Sequence, residues 1–62
     1  MKLAYHAKND NHGWHHIKTA PISCPEWHDA DRWAYNFMID NGEQVLTFGW
    51  NMYQLINDKA TT

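Results

Sequence analysis

Residues 33–50, WAYNFMIDNGEQVLTFGW, decide the fold of this chain. Asn41-Gly42 lies near their middle, and Asn-Gly tolerates the positive φ angles of a type I′ turn, whose twist suits antiparallel strands. Folding there pairs residues 33–39 with 44–50. One face then carries Trp33 opposite Trp50, Tyr35 opposite Phe48 and Phe37 opposite Leu46. The other carries Ala34 opposite Gly49 and Asn36 opposite Thr47. A slip of one residue would invert both faces, so turn and alternation support each other. A second reading runs a helix through the same residues to Asp40, with Gly42 as its C-cap, burying Trp27, Ala30, Ala34, Phe37 and Met38. The hairpin is preferred because β-propensity, pairing and turn chemistry agree on it.

Upstream, Leu3, Tyr5 and Ala7 alternate with Lys2, Ala4 and His6. A polar loop, Lys8-Asn9-Asp10-Asn11-His12-Gly13, then returns the chain as WHHIKT. A short loop with an odd number of residues puts Tyr5, His15 and Ile17 on one face, and His6, Trp14 and His16 on the other. Pro21 closes this first hairpin. Ser23 and Glu26 spell a capping box, with Ile22 and Trp27 as its hydrophobic staple. Asp29 and Asp31 suit the positive end of a short helix, although Pro25 biases Cys24 away from helical angles. Downstream, Asn51 and Gln54 repeat the capping logic, and Met52, Leu55 and Ile56 form an apolar stripe at helical spacing. These features predict a second helix from Met52 to about Lys59, with Ala60-Thr61-Thr62 frayed. The expected fold is α+β in the order ββαββα, both helices lying on one face of a small antiparallel sheet of two hairpins. Trp33, Tyr35, Phe37, Leu46, Phe48 and Trp50 are the expected core.

At 62 residues the chain is a single small domain, 1–62, of a size that needs a rich core, a staple or a second subunit. Cys24 is the only cysteine, so no internal disulfide forms. Four Trp, three Tyr and two Phe supply the rich core, and their abundance together with open sheet edges predicts a symmetric homodimer. The formal charge is −2, with four lysines and Arg32 scattered rather than clustered. Nucleic-acid binders neutralise phosphates with clustered cations, so a nucleic-acid partner is not expected. The N-terminus lacks the apolar run of a signal peptide, and no segment reaches about 18 apolar residues. The expected compartment is the cytoplasm, with no membrane partner.

Two constellations invite chemistry. His12, His15, His16 and His28 with Cys24 could be assembled around zinc, but the paired-cysteine knuckle of structural zinc sites is missing. His15 and His16 also alternate across a strand. Cys24 near a helix start, one turn from His28, has the dipole for a lowered thiol pKa. Sixty-two residues leave little room for an oxyanion hole and substrate walls, and capping and packing explain Ser23 and Cys24 more simply. No phosphate loop, paired-carboxylate cleft or metalloprotease motif is present. The chain is therefore read as non-enzymatic, without cofactor or metal. The favoured function is a protein-binding module of the kind that phages or mobile elements use to inhibit a host complex, with Trp14 as anchor beside His6 and His16. The other readings are base stacking on exposed aromatics and a zinc-stabilised domain.

Overall fold

A computed structural model describes residues 1–9 and 13–57. The expected fraying of residues 60–62 and the expected end of the second helix at about Lys59 fall outside that span. Within it the chain forms β1 (Lys2–Ala7), β2 (His15–Pro21), α1 (Asp29–Asn41), β3 (Val45–Phe48) and β4 (Asn51–Ile56). The strands make one antiparallel sheet in the order β2-β1-β4-β3, with α1 on one face. The fold is α+β, and its order is ββαββ.

The sheet closes through contacts far apart in sequence. β1 and β4 are the central strands, paired from Lys2 with Ile56 through Ala7 with Asn51. Alternation then assigns the faces. Leu3 and Tyr5 of β1, Tyr53 and Leu55 of β4, Leu46 of β3 and Ala20 of β2 share the face beneath the helix. Leu3, Trp27, Ala34, Met38 and Tyr53 are buried there as one cluster, with the Tyr5 and Tyr53 rings stacked at 5.0 Å. Ala4, His6, Thr19, Met52, Gln54, Ile56, Val45 and Thr47 belong to the opposite face.

Residues 33–40 are helix, which overturns the Asn41-Gly42 hairpin in favour of the second reading. Gly42 adopts φ 68° as the helix C-cap. Its N–H donates to the Ile39 carbonyl at 3.4 Å and the Glu43 N–H donates to Met38 at 2.9 Å, the double closure of a Schellman motif. The left-handed angle that a type I′ turn needs is also what a helix terminus needs, so Asn-Gly was ambiguous. Packing decided it. Ala34 and Met38, one turn apart on α1, fill the space over Leu3 and Tyr53 together with Trp27 from the segment before the helix.

The helix also starts later than its capping box predicts. Residues 22–28 are irregular, with the Cys24 N–H turned back onto the Pro21 carbonyl at 2.9 Å, consistent with Pro25 holding Cys24 out of helical angles. The N-cap is His28, and Asp31 Oδ2 accepts the His28 N–H at 2.8 Å. Asp31 Oδ1 also accepts the Tyr53 hydroxyl, so one carboxylate both caps α1 and fastens it to β4. Burial, and then the Asp31 hydrogen bond, raise the Tyr53 phenol well above its ordinary pKa of 10.0.

The C-terminal helix is not formed; residues 51–56 are the central strand β4. Met52, Leu55 and Ile56 match a helical stripe, but Tyr53 and Leu55 also match a strand face, and pairing on both edges with β1 and β3 satisfies the backbone. The first hairpin forms with one change of register. Tyr5 pairs with Lys18 and His6 with His16, so Ile17 is an extra residue in β2 rather than Tyr5's face-mate.

Candidate aromatic binding surface

Most of the aromatics assigned to the core from sequence lie outside it. Of the four tryptophans only Trp27 is buried, at 3% exposure, whereas Trp14, Trp33 and Trp50 are 36%, 59% and 53% exposed. Phe37 and Phe48 are also exposed, at 39% and 42%. One helix covers less sheet than two would, and the stripe that α1 turns inward is Ala34 and Met38 rather than Trp33 and Phe37. Trp27 holds its place by donating its indole N–H to the Pro21 carbonyl at 2.9 Å under the Lys18 ammonium, 4.0 Å from the ring centroid.

The exposed aromatics fall into two sets. The first lies at the end of the sheet where β1 leaves and β2 begins. Trp14 immediately precedes β2, and the Lys8 ammonium stands 5.1 Å from its ring centroid, a cation–π contact that orients the indole. The Lys8 N–H donates to the Trp50 carbonyl at 3.0 Å, which draws the β3–β4 turn to the same end. Gly49 permits that turn with φ 60°. A shallow open depression of about 210 Å³, lined by Ala7, Lys8, Asn9, His15 and Ile17, adjoins this end. It is smaller than the roughly 300–1,000 Å³ typical of small-molecule sites.

His6 and His16 meet directly across β1 and β2, their rings 5.4 Å apart at 66°. His16 Nε2 lies 2.6 Å from Thr19 Oγ1, while His6 Nε2 is buried with no hydrogen-bond partner among the described residues. The two histidines thus sit together on the helix-free face, and Trp14 stands two residues before His16 in the connection. Sequence reasoning missed Lys8 and Trp50 as their neighbours, because the contact joining them spans from β1 to the β3–β4 turn.

The second set lies on α1. Trp33 and Phe37 are one turn apart, ring centroids 5.4 Å, on the other side of the buried Ala34–Met38 stripe from Arg32. Arg32 Nη2 donates to the Cys24 carbonyl at 3.1 Å, just beyond the end of β2. Successive residues turn by about 100° in a helix, so the Trp33–Phe37 flank overlooks the β3 edge. On that edge Phe48 stacks on Tyr53 at 5.9 Å. A sequence signal existed for this flank: Ala30, Trp33 and Phe37 form a second apolar stripe beside Trp27, Ala34 and Met38, one more than a helix on a single sheet can bury.

Little in the arrangement supports chemistry. Cys24 is half-buried against the core, and Cys24 and His28 precede the helix rather than standing one turn apart on it. Among the described residues no three of His, Cys, Asp and Glu converge on a metal geometry; His12 lies outside them. No described helix is long and apolar enough to cross a membrane. The chain matches no family model, no curated protein and no solved structure, so its function is read from its own residues.

Proposed function

We propose that this chain is a small non-enzymatic module that binds another protein through the open end of its first hairpin, with Trp14 as anchor beside His6 and His16. The observation that carries this reading is the exposed Trp14 held under Lys8, at the end of the sheet that also carries the exposed Trp50. A large amphipathic ring held in place offers contact area at low entropic cost, the property of interface hot spots. Size and the lack of a catalytic set favour an accessory protein of a phage or mobile element that inhibits a host complex in the cytoplasm. A nucleic-acid reading is disfavoured by how the cations are used. Lys18 sits over Trp27 and pairs with Glu26 at 3.7 Å, Arg32 is tied to Cys24, and Lys8 covers Trp14, so these cations do not form a phosphate groove.

The test is affinity capture from a cell lysate with wild-type protein and with Trp14→Ala, read by mass spectrometry beside thermal melts. The expected result is one protein captured by wild type and lost with Trp14→Ala while the melting temperature is unchanged. Equal capture by both proteins, or a large fall in melting temperature for Trp14→Ala, overturns the assignment of Trp14 as a contact residue.

A further inference from the structure

We infer that the β3 edge, with the Trp33–Phe37 flank above it, is the site at which a second copy of this chain docks to form a twofold dimer. The inference concerns a different surface from the Trp14 end and does not rest on the partner-binding reading.

The two sheet edges differ in kind. The β2 edge is interrupted by the extra residue at Ile17, ends at Pro21 and carries Lys18, devices that discourage strand addition. β3 has none of them. Its four residues, Val45–Phe48, hold no charge, no proline and no register shift. The direction of its backbone groups follows from one hydrogen bond. The Leu55 N–H donates to the Gln44 carbonyl at 2.9 Å, so the amides and carbonyls of Leu46 and Phe48 point to β4, and those of Val45 and Thr47 point outward.

Several observations favour a second copy as the occupant. Antiparallel pairing of two identical strands is itself twofold symmetric, and here it sets no like charges opposite one another. Centred on Leu46, it lets Val45 of each copy exchange both backbone bonds with Thr47 of the other. The same operation with β2 would bring two copies of Lys18 together near two pairs of neighbouring histidines. Apolar side chains flank the edge on both faces: Val45 on the helix-free side, and Phe48 with the Trp33–Phe37 flank on the helix side. From their exposed fractions, Trp33, Phe37 and Phe48 offer roughly 300 Å² of apolar surface per copy. The β3 backbone, Val45, Leu46 and Thr47 add to that area, which brings it towards the low end of a standard interface, roughly 600 Å² per partner. Pairing would continue the sheet across two chains and cover an aromatic surface that this fold cannot cover alone.

The experiment is light scattering after size exclusion at about 100 μM for wild type, Thr47→Pro and Trp33→Glu, with circular dichroism and thermal melts alongside. Thr47→Pro removes an outward N–H and no bond to β4; Trp33→Glu places like charges across the twofold axis. The expected result is twice the 7.3 kDa chain mass for wild type and the single-chain mass for both folded variants. A wild-type monomer at that concentration overturns the inference, as does a dimer that persists in Trp33→Glu. Should Thr47→Pro fail to fold, Trp33→Glu decides alone, since its side chain is solvent-facing. Capture through Trp14 can succeed or fail independently of these masses.

Discussion

Tyr53→Phe isolates the bond that fastens the helix to the sheet. The phenol donates to Asp31 Oδ1, and the same carboxylate caps α1 through the His28 N–H. Phenylalanine keeps the ring that stacks on Tyr5 and Phe48, so packing survives and only the hydroxyl is lost. A hydrogen bond to a charged group contributes about 1.5–3 kcal/mol, and the half-buried Asp31 recovers part of that from water on losing it. The expected cost is about 1–2 kcal/mol. In a domain this small each kcal/mol moves the midpoint by roughly 4–8 °C, giving a fall of roughly 5–15 °C in a calorimetric or circular-dichroism melt. Asp31→Ala should cost more, because it also removes the cap, and the double variant should show coupling of about 1 kcal/mol. The pH dependence carries a definite sign. The folded-state pKa of Tyr53 is raised above 10.0, so its contribution is fully present below about pH 10 and is lost as pH rises above that value. Tyr53→Phe should therefore show a smaller loss of stability on the alkaline side. A midpoint within about 2 °C of wild type, or strictly additive single variants, would refute the clamp.

The tryptophans should divide sharply. Trp27→Ala, at the buried site, removes about 3–5 kcal/mol and should leave the domain unfolded at room temperature by circular dichroism, whereas Trp33→Ala, melted at a dilution where single chains dominate, should stay within a few degrees of wild type. Met38→Ala, at a site with no exposed surface, should cost about 2–5 kcal/mol, measured by chemical denaturation where the variant still folds. Gly42→Ala imposes a side chain on φ 68° where there is open space, so strain alone should cost about 1 kcal/mol, visible as a drop in melting temperature without loss of helix signal.

The helix of residues 29–41 shows where local reading reached its limit. Trp33, Tyr35 and Phe37 favour a strand by propensity, and their alternation matched residues 44–50 well enough to specify a register. Ala34 and Met38 carried the opposing message at helical spacing, and only the presence of Leu3 and Tyr53 beneath them made that stripe the buried one. The site residues followed the same pattern. His6 and His16 were placed on one face by counting along a hairpin, and their rings do meet across β1 and β2. Their relation to Lys8 and Trp50 needed the distant β3–β4 turn.

Sequence by itself determined that this is one small α+β chain with an antiparallel first hairpin, a left-handed residue at Gly42, no internal disulfide and more aromatic surface than a small core requires. Those properties depend on neighbours a few residues apart, on composition and on chain length. Tertiary structure alone decided whether residues 33–41 and 51–56 were helix or strand, and which aromatics were buried. Both segments carry apolar residues at two periods, so each can present an apolar face as helix or as strand. The choice falls to partners far away in the chain: β1 pairs with β4, from Lys2 opposite Ile56, and the resulting sheet presents Leu3, Tyr5, Tyr53 and Leu55 as the one surface that a single helix must cover. Trp33, Phe37 and Phe48 are exposed because that helix is spent on Ala34 and Met38.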